Sequence, residues 1–382
     1  MLCVLLPACT RVPTAVVTPP GGVISPPAAI KPLSPVGWED IAGWERDDLR
    51  QALPPLLQSC TALQQRPAWT GLCRAAAALD GSDAAAVRTF FEEHFSPHRV
   101  RNGDGSDLGT MTGYYNPELH GSRTPSADYP CPLYGVPDDL LVVDLSSLYP
   151  ELGDYRLRGR LVGRRVVPYW NRCEIDQGQE AVENRVLFWV ADPVELFFLQ
   201  VQGSGRILLD DGSCAMVQYG DQNGHPYRSI GKLLIDRGEM TPDQMSLQNI
   251  KIWARNHPEQ VSSLLAENPS YVFFVEAPDG EDPPLGALGV PLTAQRSMAV
   301  DPRFVPLGVP VFLDTTWPGS EEPLQRLMLA QDTGGAIRGP VRADFFWGLG
   351  AQAGELAGRM KEPGRLWVLL PVQNTSEVSG DR

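Results

Sequence analysis

The chain has 382 residues, enough for two domains or for one domain split by an insertion. With 43% hydrophobic and 20% charged residues it has the composition of an ordinary globular protein. A formal net charge of -14 repels phosphates, which sets nucleic acid aside and disfavours a polyanion such as teichoic acid; a neutral or weakly charged polymer fits better.

Residues 1–8 read MLCVLLPA and Cys9 follows, with a Leu-x-x-Cys box from Leu6 to Cys9. This reads as the end of a lipoprotein signal peptide in which Cys9 becomes the lipidated residue. Pro7 is unusual there, no basic stretch precedes it, and the apolar run is short, so a frayed apolar terminus is the plainer alternative. Further on, no 18-residue apolar run is long enough to span a membrane. Residues 12–37 hold seven prolines and a single charge, Lys31, as a tether would. Seven cysteines form no CxxC pair, which argues against zinc. Cys60 and Cys73 suit a disulfide in an oxidising compartment, and free thiols fit equally well.

Folding is expected from Trp38. Ile41, Trp44, Leu49, Leu53, Leu56 and Leu63 recur at helical spacing, with Pro54 and Pro55 restarting a helix. Ser82 or Asp83 caps another helix carrying Val87, Phe90, Phe91 and Phe95. From Thr112 the period changes. Strands are predicted at 140–145, 186–190, 197–202, 207–209 and 215–219, with a hairpin turn at 210–213. Helices return at 229–236 and 241–256, the second with Thr241 as cap, Pro242 in its first turn and Gln244 closing a capping box. Strands at 271–276, 298–300, 309–313, 327–331 and 366–370, interrupted by a helix at 351–360, suggest a small closed barrel.

The most informative segment is LMLAQDTGGAIRGPVRADFFWG, from Leu327. An apolar strand delivers Asp332 to its end, and Thr333-Gly334-Gly335 turns the backbone away. The two glycines permit positive φ and let a large ligand approach. A partly desolvated carboxylate keeps its proton towards neutral pH, as a general acid must. Asp344 follows after an expected hairpin, and Asp301 ends another strand; if these neighbour Asp332, their charges raise its pKa further. Read alone, DTGG serves a structural turn as well as a catalytic one. Asp-Thr-Gly also matches an aspartic protease, but a second such tripeptide is absent and the protease would have to be a homodimer.

Thr112-Gly113-Tyr114-Tyr115-Asn116-Pro117 and Gln200-Val201-Gln202-Gly203-Ser204-Gly205 set aromatic rings, amides and hydroxyls beside glycines, as sugars are held; turn glycines on edge strands are the bland reading. GDQNGHPYRSIGKLL, from Gly220, adds Arg228 and Lys232, either a basic contact for carboxylates of the substrate or an ordinary polar loop. The five histidines lack metal-ligand spacing and no Gly-rich phosphate loop opens a helix, so no metal or nucleotide cofactor is expected.

Together these motifs resemble the membrane-bound lytic murein transglycosylase A family. TGYYNP, VQGSG, GDQNGHPYRSIG, LTAQRSMAVDPRFVPLG, AQDTGGAIRG and RADFFWG fall in the family's order over residues 109–370. Asp301, Asp332 and Asp344 match the positions of its three-aspartate module. The resemblance implies a mainly β fold with flanking helices. A double-psi β-barrel would be built from 38–114 and 268–372, with an inserted, barrel-like β domain at 115–267. Glycan would lie in the groove between them, with 1–9 a signal, 10–37 the tether and 373–382 a tail. It further implies that Asp332 alone is acid and then base in non-hydrolytic cleavage of the MurNAc-GlcNAc β-1,4 bond of peptidoglycan, leaving 1,6-anhydromuramic ends. Asp344 and Asp301 would support it, and Thr112, Tyr114, Tyr115, Gln202, Ser204, Tyr219, Lys232, Gly334 and Gly335 would bind substrate. The expected partners are peptidoglycan strands and, through lipidated Cys9, the outer membrane facing the periplasm of a Gram-negative cell, with the protein a monomer. Against this stand the dimeric protease, a non-catalytic glycan-binding module and a plain hydrolase.

Overall fold

A computed structural model describes residues 32–153, 155–277 and 284–372. The expected lipidation at Cys9, most of the tether and the tail at 373–382 lie outside the described residues. In chain order the first strands are β1 (Leu33–Pro35), β2 (Phe95–Val100), β3 (Gly109–Asn116), β4 (Glu118–Ser122), β5 (Cys131–Tyr134) and β6 (Leu141–Val142). Then come β7 (Arg158–Val162), β8 (Arg165–Pro168), β9 (Val186–Val190), β10 (Ser204–Leu209), β11 (Cys214–Gln222) and β12 (Val272–Glu276). The last are β13 (Ser297–Val300), β14 (Pro310–Thr316), β15 (Pro323–Asp332), β16 (Arg342–Leu349) and β17 (Lys361–Pro371).

Strands from both ends of the chain share one sheet, in the order β1-β2-β17-β14-β15-β13-β16-β3. Because β3 also pairs with β17, the last six close into a ring. The pairs β13–β15 and β16–β3 are parallel, which requires crossovers and interleaves the chain's two ends. A second sheet runs β12-β11-β10-β4-β9-β5, and β6-β7-β8 make a third. The chain passes from ring to second sheet at Pro117, between β3 and β4.

Alternation fills the ring. Met111, Met298, Val300, Ala343 and Phe345 point into its core beside Val311, Phe312 and Trp367. The N-terminal helices Leu53–Leu63, Pro67–Ala77 and Ala84–His94 cover that core with Leu56, Leu63, Trp69, Val87 and Phe91. A disulfide joins Cys60 to Cys73 across the first two. Asp83 caps the third, accepting from the amides of Ala85 and Ala86.

Several expectations are corrected. Folding begins at β1, before Trp38: this is an edge strand on β2, where Pro35 needs no amide partner. Phe95 opens β2 with extended backbone instead of ending a helix. Residues 197–202 belong to the helix Pro193–Gln202, which Asp192 caps at Val194 and Glu195. That helix is wedged between two cores, contacting one through Leu196 and Leu199 and the other through Val194 and Phe197. Apolar on both sides, it looks like a buried strand to any test of periodicity. The helix expected at 241–256 is a 3-10 turn, Pro242–Gln244, and then a helix, Leu247–Asn256, capped by Ser246. Strand 140–145 shrinks to β6. Strand β12 pairs with β11, so its residues join the second sheet and not the ring, against the boundary at 267/268. No hairpin joins β15 to β16, because β13 lies between them.

Candidate active site

One row of residues crosses the outside of the ring. Asp332, the last residue of β15, stands opposite Ala299 of β13; Ala299 stands opposite Asp344 of β16; and Asp344 stands opposite Thr112 of β3. Residues directly opposite share a face, and the neighbours Met298, Val300, Ala343, Phe345 and Met111 point the other way, into the core. The two carboxylates are therefore on one outer face, two strands apart, roughly 10 Å between backbones. Ala299 occupies the intervening strand position, and the Tyr114 hydroxyl interacts with both carboxylates.

Asp332 Oδ1 accepts from the amides of Ala287 (3.0 Å) and Thr333 (2.8 Å). These bonds hold the carboxyl and lower its pKa, but burial outweighs them and the pKa is raised. With Oδ1 doubly occupied by donors, Oδ2 is the oxygen left to carry a proton. Tyr114, two residues beyond Thr112 and on the same face of β3, brings its buried hydroxyl beside this carboxyl. The hydroxyl lowers the Asp332 carboxyl as a hydrogen-bond donor would, and is itself raised by it, although the pair falls outside ordinary hydrogen-bond geometry. Its ring rests on Phe346, 5.1 Å between centroids, which fixes its direction.

Asp344 is a second perturbed acid. Burial raises its pKa to about 6, and the charge of Asp332 adds to this; the Thr112 hydroxyl and the Arg342 guanidinium oppose it. Thr112 donates to Asp344 Oδ1 and accepts from Arg342 Nη2 (2.8 Å). Thr112 is thus a link between acid and base and is already engaged within the protein.

Asp301 behaves differently from expectation. It is fully buried, but Arg303 pairs with it (2.7 Å) and holds its pKa down at about 2. Its Oδ2 accepts from the amide of Gly339 (2.8 Å), so it ties down the loop after Asp332. It is absent from the groups that perturb Asp332. A carboxylate already neutralised by a guanidinium cannot push a neighbour's pKa far.

The glycines are also corrected. Gly334 and Gly335 do not have positive φ; in this loop it is Gly339 that does, at 105°. Gly334 is needed because a Cβ there would lie 2.7 Å from Ile337 Cγ1, while Gly335 faces open space. Gln202 ends its helix and accepts from the amide of Tyr115 (3.1 Å), with Ser204 just beyond at the start of β10. Tyr115 turns into the ring core. Tyr219 is 41% exposed on β11, and a Cβ on Gly203 would touch its own at 4.0 Å. Lys232 is elsewhere, exposed and paired with Asp236; it borders a cavity of about 240 Å³ with Arg228 and Glu267. Arg342, Ala299 and the amide of Ala287 escaped sequence reasoning. Arg342 was within reach, two residues before Asp344 in RADFFWG. Ala299 becomes visible only through strand register.

Two family models match the chain: the MltA specific insert domain over residues 110–275 and the 3D domain over 296–370. The chain is 36% identical over 305 residues to membrane-bound lytic murein transglycosylase A of Escherichia coli strain K12, covering 78% of this chain and 74% of that one. Among solved structures, MltA from Neisseria gonorrhoeae in its monoclinic form superposes with a TM-score of 0.78 at 38% identity, covering 89% of this chain and 92% of that one. E. coli MltA with bound chitohexaose superposes with a TM-score of 0.70 at 28% identity, covering 90% and 95%.

Proposed function

This chain belongs to the membrane-bound lytic murein transglycosylase A family, and from that membership we propose that it cleaves peptidoglycan between MurNAc and GlcNAc with Asp332 as its single acid and base. It is a lytic transglycosylase by family. The carrying observation is the Asp332 carboxyl: desolvated, raised in pKa, with Oδ1 held by two amides and Oδ2 left for a proton.

The steps balance without water. Asp332 Oδ2 gives its proton to the glycosidic oxygen as the bond from muramic C1 breaks. The carboxylate so formed takes the proton of the muramic C6 hydroxyl as that oxygen bonds to C1. Asp332 ends protonated and the product is a 1,6-anhydro sugar. Because the nucleophile belongs to the substrate, proximity supplies much of the advantage and a second working carboxylate is unnecessary. Asp344, bound to Thr112, tunes Asp332. Tyr114 orients toward the reacting oxygens, and Gln202, Ser204 and Tyr219 line the approach for sugars; binding of chitohexaose by the E. coli relative supports a glycan here. The same proposal takes the ring as a double-psi barrel and the second sheet as the core of an insert, with glycan between them. It places the protein at the periplasmic face of the outer membrane, anchored through Cys9.

Asp332→Asn should lower turnover by at least about a hundred-fold, the usual contribution of a general acid, while still binding sacculi. Mass spectrometry of wild-type products should give muropeptides one water lighter than hydrolysis would. Reducing ends instead would mean a hydrolase, and undiminished activity in the Asn variant would remove Asp332 from the mechanism.

A further inference from the structure

Strands β7 and β8 form a finger tied to the rest of the fold through Arg158 and Arg160 but packed into none of its hydrophobic cores. Among the described residues, the third sheet pairs with no strand of the other two, and none from 141–153 or 155–168 enters a hydrophobic core. Nevertheless, nearly half of the large apolar side chains exposed among the described residues fall between Val142 and Val166. Leu161, 63% exposed, faces Val166, 54% exposed, across the hairpin. Val162 stands exposed on the opposite face, since successive strand residues alternate.

The finger also carries charge of the opposite sign to the molecule. From Tyr155 to Pro168 there are five arginines and no acid, against three acids (Asp144, Glu151 and Asp154) in residues 142–154, in a chain of 46 acidic and 32 basic residues. Two of the five serve the fold: Arg158 pairs with Asp221 (2.9 Å), and Arg160 lies 3.4 Å over the Trp170 ring. Arg164 and Arg165 stand exposed at the turn, next to Gly163 at φ 61°.

We propose that this finger docks on an anionic lipid surface. Charge complementarity gives the orientation: an acidic body is repelled while the basic tip is drawn in. A tip with apolar side chains on both faces suits a fluid layer that closes around it. Arginine stems can lie along the buried tip with their guanidinium groups at the headgroup phosphates. Tyr149 and Tyr155, both exposed nearby, supply rings of the kind that settle at the headgroup level.

The test is sedimentation of the full-length, unacylated chain with vesicles of phosphatidylglycerol and phosphatidylethanolamine, against vesicles of phosphatidylcholine. The wild type should sediment with the first and not the second. Arg164→Ser with Arg165→Ser should weaken partitioning about thirty-fold, and Leu161→Ser with Val166→Ser should also weaken it. Neither pair should change the melting temperature, since the finger shares no core. Raising salt from about 0.1 M to about 1 M should release most of the bound wild type. Absence of wild-type binding to anionic vesicles overturns the proposal, as does equal binding by wild type and both variants. Finger-dependent association with an acidic protein, without vesicle binding, overturns it in favour of a protein partner.

Discussion

Asp332 and Asp344 are both raised in pKa chiefly by burial, and the charge of Asp332 raises Asp344 further. If the coupling that raises Asp344 also acts in reverse, Asp344→Asn removes a negative neighbour from Asp332 and the alkaline limb of the kcat/KM profile should move to lower pH. An unmoved limb would mean the two acids are not coupled in the working enzyme. The same variant has a stability signature. The folded-state pKa of Asp344, about 6, lies above the usual carboxylate value, so the folded state holds the extra proton between about pH 4 and 6. Stability attributable to this group is full below that window and falls as pH rises through it, by on the order of 3 kcal/mol. The Asn variant should lack that decline when urea unfolding is compared at pH 4 and pH 7. Asp301 has the opposite sign, being held low by Arg303. The sequence could place these acids near one another by motif. It could not tell a paired carboxylate from a desolvated one, because that depends on which side chain folds back onto it.

Strand β15 ends in Asp332, and its placement depends on the residue before. Gln331 is fully buried. Its amide nitrogen donates to Pro55 O (2.8 Å) and Ser59 Oγ (2.9 Å), and its oxygen accepts from Ser297 Oγ. The helix Leu53–Leu63 therefore grips the strand one residue short of the acid. Gln331→Met keeps the volume but leaves these buried groups without partners, which should cost about 2 kcal/mol. It should also lower kcat more than it raises KM, because the acid moves while the sugar contacts stay. An effect on stability alone would show that Asp332 is positioned by its own loop. Many elements were legible because caps and alternation are local: Asp83, one of the two caps expected for its helix, and the turn at Gly212 act where expected. The helix Pro193–Gln202 was not, since packing between two cores erases its polar face. Nor was the intervention of β13 between β15 and β16, since strand order is not written in strand pattern.

Ring and second sheet are joined where β3 continues through Pro117 into β4. Register in the β3–β16 pair breaks between Phe346 and Leu349, just where Tyr115 stands. The amide of Tyr115 is met at that break by Gln202, from the helix that packs under the second sheet. One side chain thus fastens the insert to the strand that presents Thr112 and Tyr114. Gln202→Ala should release this fastening at a stability cost of only about 1 kcal/mol, the worth of one ordinary hydrogen bond. Because the residues proposed to contact sugar sit on both sides of the joint, KM for glycan strands should rise by about ten-fold while the pH limb assigned to Asp332 stays in place. Gln202→Glu keeps an acceptor oxygen and should restore KM. If the Ala and Glu variants bind glycan equally poorly, Gln202 is touching sugar directly and the joint is held by β3 itself; if both bind as well as wild type, the two units are positioned by the chain crossing at Pro117 alone.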